Sequence, residues 1–443
     1  MESLRNTTKD LNLANSPEAQ GVVPGSRRHA ESVKSLGTGR LAPGITSVFQ
    51  LSSAGTNRSI VGSSAYVFLR GKARLNDQTD VLQDSGVQLS PEASNQLFES
   101  LTLTVNGVQV SHLQAARLSR HVVDHFCSSA RNGSRQVTAD SAVDTDGSSD
   151  PLRKDIIVGG KSIMLTRPLD DLPLFGVTDG LIPSFATVEL TVRLTDIPEA
   201  LFSCVNSVTA TPYIEAIEVG VAYDTVELQK EVVDDFNEAA ISEKGLQIPV
   251  SVWETRQLSP SISLGAASWT QSNQIVYSTP PNALYLLQIP QESDYPAVDA
   301  YKGTGRLHHV WNRLKSALIN SSGAPVAQFT RLEGPSGKSV LLQALSHAVD
   351  PAAGLHGTSL SDASRVYVDE WEFMRDDSSL ALVPFANRSF GETERTIQTP
   401  WPVQFSLQLG DGAGGATYDS NVYVISVSRK NLILSLDGNT RLV

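Results

Sequence analysis

The sequence predicts an all-β chain, two β-sandwich halves in tandem behind an N-terminal arm. Three observations lead there. Short segments that alternate apolar and polar residues recur between clusters of turn residues, the period-two signature of half-buried strands. Helical periodicity is confined to two stretches. One of these, at residues 227–243, separates two β-rich halves of comparable length.

Residues 1–44 are rich in Ser, Asn, Gly and Arg, contain Pro17, Pro24 and Pro43, and follow neither period. They read as a flexible arm that orders only on contact with neighbouring molecules. From Ile45 the texture changes, and the first β-domain is placed at 45–226. Its clearest strand is Leu101–Val105, with Leu101, Leu103 and Val105 on one side and Thr102 and Thr104 on the other. Asn106-Gly107 follows, a hairpin signal because both central residues of the turn need positive φ. Val188–Leu194 and Ile217–Tyr223 are two further strands of this kind. Residues 112–127 place Leu113, Leu118, Val122 and Phe126 at helical spacing.

The second helical stretch, ELQKEVVDDFNEAAISE, is charged and is taken as the connector, residues 227–244. The second β-domain then runs over 245–443. Its expected strands are Gln274–Tyr277, Ala283–Ile289, Val366–Phe373, Val403–Leu409 and Val422–Val427, with a further alternating stretch at Asn431–Leu436 before Asp437-Gly438. Residues 130–160 and 291–365 read as long loops.

Hydrophobic content of 40% and charged content of 19% fit a globular chain. A net charge of −12 disfavours contact with phosphate unless cations are segregated. The arm is the one place with a slight basic excess, so sequence-specific nucleic-acid binding is not expected. The two cysteines, Cys127 and Cys204, rule out a disulfide framework and a four-cysteine zinc site. They are expected to be buried, reduced thiols. The start, MESLRNTTKDLNL, lacks the apolar core of a secretion signal, and no run of about 18 apolar residues suggests a membrane helix.

Four segments, in order, resemble the major capsid proteins of Polinton-type elements and adintoviruses. The first is Leu97–Gly107, a strand closing on Asn-Gly, with the 112–127 helix just beyond. The second runs from Pro173-Leu174-Phe175 through Leu181-Ile182-Pro183 to Val188–Leu194. The third is Ile217–Tyr223 leading into the connecting helix and Ile248-Pro249-Val250. The fourth is the C-terminal pair Val422–Val427 and Asn431–Leu436 with Asp437. The resemblance implies a double jelly roll, with eight strands of common topology in each half, and kinship with adenovirus hexon and virophage capsid proteins. It also implies a homotrimeric, pseudo-hexagonal capsomer in an icosahedral capsid, whose partners are copies of itself, neighbouring capsomers, and penton and minor capsid proteins. The chain would then reside in the virion, without cofactor.

Motifs that suggest chemistry are each incomplete. Gly334-Pro335-Ser336-Gly337-Lys338-Ser339 resembles a phosphate-binding loop, but the first glycine of the pattern is replaced by Leu332 and Pro335 removes an amide from the cradle. His121 and His125 stand four apart with Asp124 between them and Cys127 beyond, yet the run is His-Val-Val-Asp-His and lacks the glutamate of a zinc protease. His308-His309 are adjacent rather than facing. Asp234-Asp235, Asp369-Glu370 and Asp376-Asp377 have no partner motif and read as solvated acids. Trp371 and Phe373 alternate as core residues do. No Gly-x-Ser-x-Gly elbow occurs. No catalytic, cofactor-binding or metal-ligating residue is therefore assigned, and the expectation is a structural protein. Two other readings are a β-sandwich that binds a receptor or glycan on a viral surface, and a nucleotide-dependent assembly enzyme resting on Gly337-Lys338-Ser339 alone.

Overall fold

Long antiparallel strands dominate both halves of the computed structural model. It describes residues 29–443 except 54, 77, 84–85, 90–92, 121–156, 177–180, 197, 205–211, 279–280, 282, 291–313, 330–382, 387–399 and 410–418. The first half comprises β1 (His29–Arg40), β2 (Thr46–Leu51), β3 (Arg58–Leu75), β4 (Val87–Leu89), α1 (Ala93–Leu97), β5 (Phe98–Val105) and β6 (Val108–Leu113). It continues with β7 (Ser162–Pro168), β8 (Leu181–Ile182), β9 (Val188–Leu194), β10 (Phe202–Cys204) and β11 (Pro212–Glu227). Helix α2 (Lys230–Ile241) connects it to β12 (Leu246–Ile262), β13 (Ser268–Thr270), β14 (Ile275–Tyr277), β15 (Ala283–Pro290) and β16 (Leu314–Ser321). The chain ends with β17 (Ala324–Phe329), β18 (Val383–Ala386), β19 (Trp401–Leu409), β20 (Ser420–Leu434) and β21 (Thr440–Leu442).

The pairing order is the same in both halves. In the first, β1-β11-β3-β7 faces β2-β9-β5-β6; in the second, β12-β20-β15-β18 faces β19-β16-β17, with β13 and β14 both on β19. Taken as first to eighth principal strand of each half, the orders are 1-8-3-6 and 2-7-4-5 twice over. This is jelly-roll topology, and its repetition makes the chain a double jelly roll.

Local chemistry accounts for the strands. Val188–Leu194 buries Val188, Leu190, Val192 and Leu194 and turns Glu189, Thr191 and Arg193 outward. Asn106 and Gly107 adopt φ +48° and +78°, the left-handed pair that a two-residue hairpin needs. The Asn106 side chain then donates to Thr440 Oγ1 at 3.0 Å and accepts from the Thr187 amide at 2.8 Å, tying the hairpin to both β9 and the C-terminus. The Tyr223 hydroxyl donates to the Ser52 carbonyl at 2.9 Å and accepts from its amide at 3.1 Å, pinning the turn after β2.

The two rolls share interior. A continuous cluster holds the first roll's core together with Trp253, Tyr285, Leu287, Ile425 and Val427 of the second. The opposite face of those same strands supplies Leu258, Leu284, Leu286, Val422 and Val424 to the second roll's own core. The β12-β20-β15 layer is thus buried on both faces. It also extends the sheet of the first roll, because β12 runs parallel to β6 and pairs with it at Thr255 and Leu113. Trp253, fully buried, lies almost parallel to the Tyr285 ring at 6.3 Å.

Several expectations are corrected. Residues 29–40 of the expected arm form β1, which pairs with β11 from His29/Thr225 to Arg40/Glu215; a bulge between Leu36 and Gly39 breaks the alternation that would have shown it. Residues 1–28 lie outside the described residues. The helix expected from 112 begins at 116, since His112 and Leu113 complete β6, and beyond 120 it too is outside them. The expected 291–365 loop contains the β16–β17 hairpin, which turns on Ser322 and Gly323 at φ +50° and +81°. Val422–Val427 and the alternating tail are one strand, β20. The connecting helix is shorter than expected, with Glu227 still in β11. Val366–Phe373 lies outside the described residues.

Candidate assembly surface

The weighed motifs fall mostly where no structure is described: His121, His125, Cys127, His308-His309, Gly334–Ser339, Asp369-Glu370, Trp371, Phe373 and Asp376-Asp377. Asp234 and Asp235 lie on the solvent side of α2, whose other side buries Phe236, Ala239 and Ala240. Cys204 ends β10. Among the described residues, no group of three or more His, Cys, Asp and Glu side chains converges on a metal position.

Sequence reasoning missed a buried ionic cluster in the first roll. Arg120 pairs with Asp170, and Arg167 pairs with Asp171; all four side chains are buried. The Arg167 guanidinium also donates to Asp171 Oδ1 at 3.0 Å and to the carbonyls of Pro168 and Ala116, each at 3.0 Å. Ser119 Oγ donates to Asp171 Oδ2 at 2.7 Å. Burial alone would raise the Asp171 carboxyl, but Arg167, aided by Arg120 and Ser119, holds it below the usual carboxylate range. The cluster fastens the helical turn at 116–120 to the segment after β7. Gly176 closes that segment so tightly that a Cβ would stand 2.4 Å from the Asp170 carbonyl oxygen. Charges this deep hold structure; none of the four side chains is open to a substrate. The Arg-Pro-Leu-Asp-Asp run carries no spacing that announces its partners some 50 residues earlier.

Two open depressions flank α2. One, of about 750 Å³, is lined by Ser53, Asn57, Ser184, Phe185 and Lys230 among others; the second, of about 800 Å³, by Glu243, Leu436, Asp437 and Arg441 among others. Neither gathers the convergent acid, base and nucleophile that catalysis requires.

One broad sheet face among the described residues is the outer side of β1-β11-β3-β7. Val67 and Leu69 point into the roll, so Tyr66, Phe68 and Arg70 lie on the other face, opposite Ala222, Gly220 and Glu218 of β11; Phe68 is itself buried, its ring over Gly220. Glu218 receives Lys34 at 3.4 Å and Arg70 at 3.7 Å. Arg74 donates to Glu215 at 3.0 Å and pairs with Asp80, and Arg40 lies 5.1 Å from the Tyr213 ring centre. Met164 on β7, more than half exposed at 54%, belongs to the same face.

No family model and no curated protein matches this sequence. The fold, however, matches solved structures along nearly the whole chain. PBCV-1 VP54, as fitted into a reconstruction of the virophage Sputnik, superposes with a TM-score of 0.57 at 12% identity, covering 95% of this chain and 98% of the other. A chain of the Sputnik virophage gives 0.58 at 10% identity, covering 97% and 92%. The mavirus major capsid protein gives 0.56 at 10% identity, covering 97% and 95%. This is the double jelly-roll fold of viral major capsid proteins. Its neighbours in fold come from virophages and large DNA viruses.

Proposed function

We propose that the chain is the major capsid protein of an icosahedral double-stranded DNA virus or virus-like element, without catalytic site or cofactor. The observation that carries this is the duplication itself: two jelly rolls of one topology, fused through a shared interior, in a chain that follows capsid proteins in fold over 95–97% of its residues. Two like uprights per chain and three chains per ring give six positions, an outline that tiles a hexagonal lattice. The functional unit is accordingly a homotrimer. It contacts neighbouring capsomers, and penton and minor capsid proteins fill the positions a pseudo-hexagon cannot. The order of the four sequence segments supports the Polinton and adintovirus type, and residence in the virion after synthesis inside the host. Mass photometry of the purified protein should give a species at three times 47.6 kDa that persists where shells fall apart, and negative-stain microscopy should reveal hexagonal capsomers. A stable monomer or dimer under those conditions would refute the capsomer.

A further inference from the structure

We propose that Asn106 is a site of spontaneous covalent modification, deamidation through Gly107, and that the C-terminal strand β21 guards it. The proposal is independent of the capsid reading.

Asn106 and Gly107 form the turn between β5 and β6. Glycine has no side chain to obstruct attack by its own amide nitrogen on the carboxamide before it. Water reaches the turn: Gly107, Val108 and Gln109 are exposed, and a Cβ on Gly107 would meet nothing within 4 Å. A carboxamide, the following amide and water are all that the reaction consumes. The Gly107 nitrogen bonds to Asn106 Cγ and closes a succinimide ring. The Cγ–Nδ2 bond breaks, and Nδ2 leaves as ammonia with the proton given up by the Gly107 amide. Water then opens the ring at one carbonyl or the other, giving Asp or, where the main chain now runs through the side-chain carbonyl, isoaspartate.

Two hydrogen bonds hold the carboxamide back from that attack. The Thr187 amide can only donate, so it fixes Asn106 Oδ1 at 2.8 Å and leaves Nδ2 facing Thr440 Oγ1 at 3.0 Å. The first bond is anchored next to β9, where the Asn106 amide also reaches the Thr187 carbonyl at 2.8 Å. The second is anchored only in β21, a short terminal strand held by Leu432–Leu434 of β20 and by the exchange of amide and carbonyl between Asn431 and Val443. Chain ends open more readily than core strands, so fraying of β21 is the event that frees Nδ2.

The two products differ in consequence. Asp keeps the backbone and an oxygen for each partner, since the Thr440 hydroxyl can donate as well as accept. Isoaspartate adds a methylene to the main chain, which a two-residue turn with both residues at positive φ cannot take up. It would loosen the β5–β6 hairpin, whose second strand meets β12 at Leu113 and Thr255, and cut the tie from the first roll to the C-terminus.

The test holds the full-length protein warm at mildly alkaline pH and analyses its peptides by mass spectrometry with electron-transfer fragmentation, which separates Asp from isoaspartate. Thr440→Val removes the hydroxyl at nearly constant shape and should speed conversion of Asn106 by about fivefold, the equilibrium factor of one neutral hydrogen bond. Thr440→Ser keeps the hydroxyl and should retain the slow rate. Equal rates in the two variants would overturn the guard, as would acceleration accompanied by faster hydrogen exchange throughout Val188–Leu194, the mark of general loosening. Absence of conversion in Thr440→Val would overturn the site itself. In the aged, unsubstituted protein, ion exchange should resolve the converted fractions, since each conversion adds a negative charge. Amides over Thr440–Leu442 should exchange faster in the isoaspartate fraction than in the Asp fraction, and equal exchange would overturn the stated consequence.

Discussion

Removing the Asp171 carboxylate should be among the most damaging single changes in the first roll. Asp171→Ala takes away the Arg167 pair, the 3.0 Å bond from its guanidinium to Oδ1, and the 2.7 Å bond from Ser119. Arg167 retains only its bonds to the Pro168 and Ala116 carbonyls and stays charged, because a guanidinium does not give up its proton at any working pH. A buried charge stripped of its partner costs about 3–5 kcal/mol. Asp171→Asn keeps the shape and one acceptor and should cost less, about 1.5–3 kcal/mol for the loss of charge-assisted bonds. The double variant Arg167→Met with Asp171→Leu removes both charges and should recover most of the loss, short of the two carbonyls left without donors. Urea unfolding followed by circular dichroism at fixed protein concentration reads all three. If Asp171→Ala lowers stability by less than about 1 kcal/mol, or the double variant is worse than the single, the cluster is not the fastening described.

Trp253→Ala at the seam should cost about 3–5 kcal/mol, as for other fully buried aromatics, and calorimetry should show one broadened or split transition in place of a single one. Gly176→Ala forces a methyl against the Asp170 carbonyl at 2.4 Å and should lower the melting temperature by several degrees, an overpacking cost of about 1–3 kcal/mol. The Asp171 carboxyl is held low in the folded chain, so its contribution is complete above the unfolded value of about 3.9 and is lost as the pH falls through the lower folded value. Acid titration of stability should therefore steepen below about pH 4 in the unmodified protein and flatten in Asp171→Asn; parallel curves would exclude the cluster from acid unfolding.

Legibility in the sequence tracked how local each feature is. Val188–Leu194 was readable to the residue because one face is buried along its whole length and nothing interrupts the period. Asn106-Gly107 was readable because a two-residue turn writes its conformational demand into two letters. Strand β1 was hidden because its hydrogen-bond partner, β11, lies almost 200 residues away and its glycines and bulge erase alternation. Pro249 shows how a strand can tolerate a residue that usually argues against one. Its opposite number on β20, Asn431, directs both backbone groups to Val443 on the other side, so β20 asks no hydrogen bond of the proline. The ionic cluster stayed invisible because Arg120 and Arg167 meet their acids through tertiary folding, with no spacing rule to declare it. The double jelly roll as a whole was legible through resemblance in segment order, whereas periodicity by itself reached only to two sandwiches.

The layer formed by β12, β20 and β15 has a consequence for how the protein can change. On β5, Thr102 and Thr104 look outward, and evolution can revise every second residue there without disturbing an interior. On β20, Val424 belongs to one core and Ile425 to the other, so adjacent positions are constrained from opposite sides. A saturation scan should accordingly find alternating tolerance along β5 and β9 but an unbroken intolerant block through Val422–Val427. Variation over generations is channelled away from that middle layer and into the connections that leave the ends of the rolls.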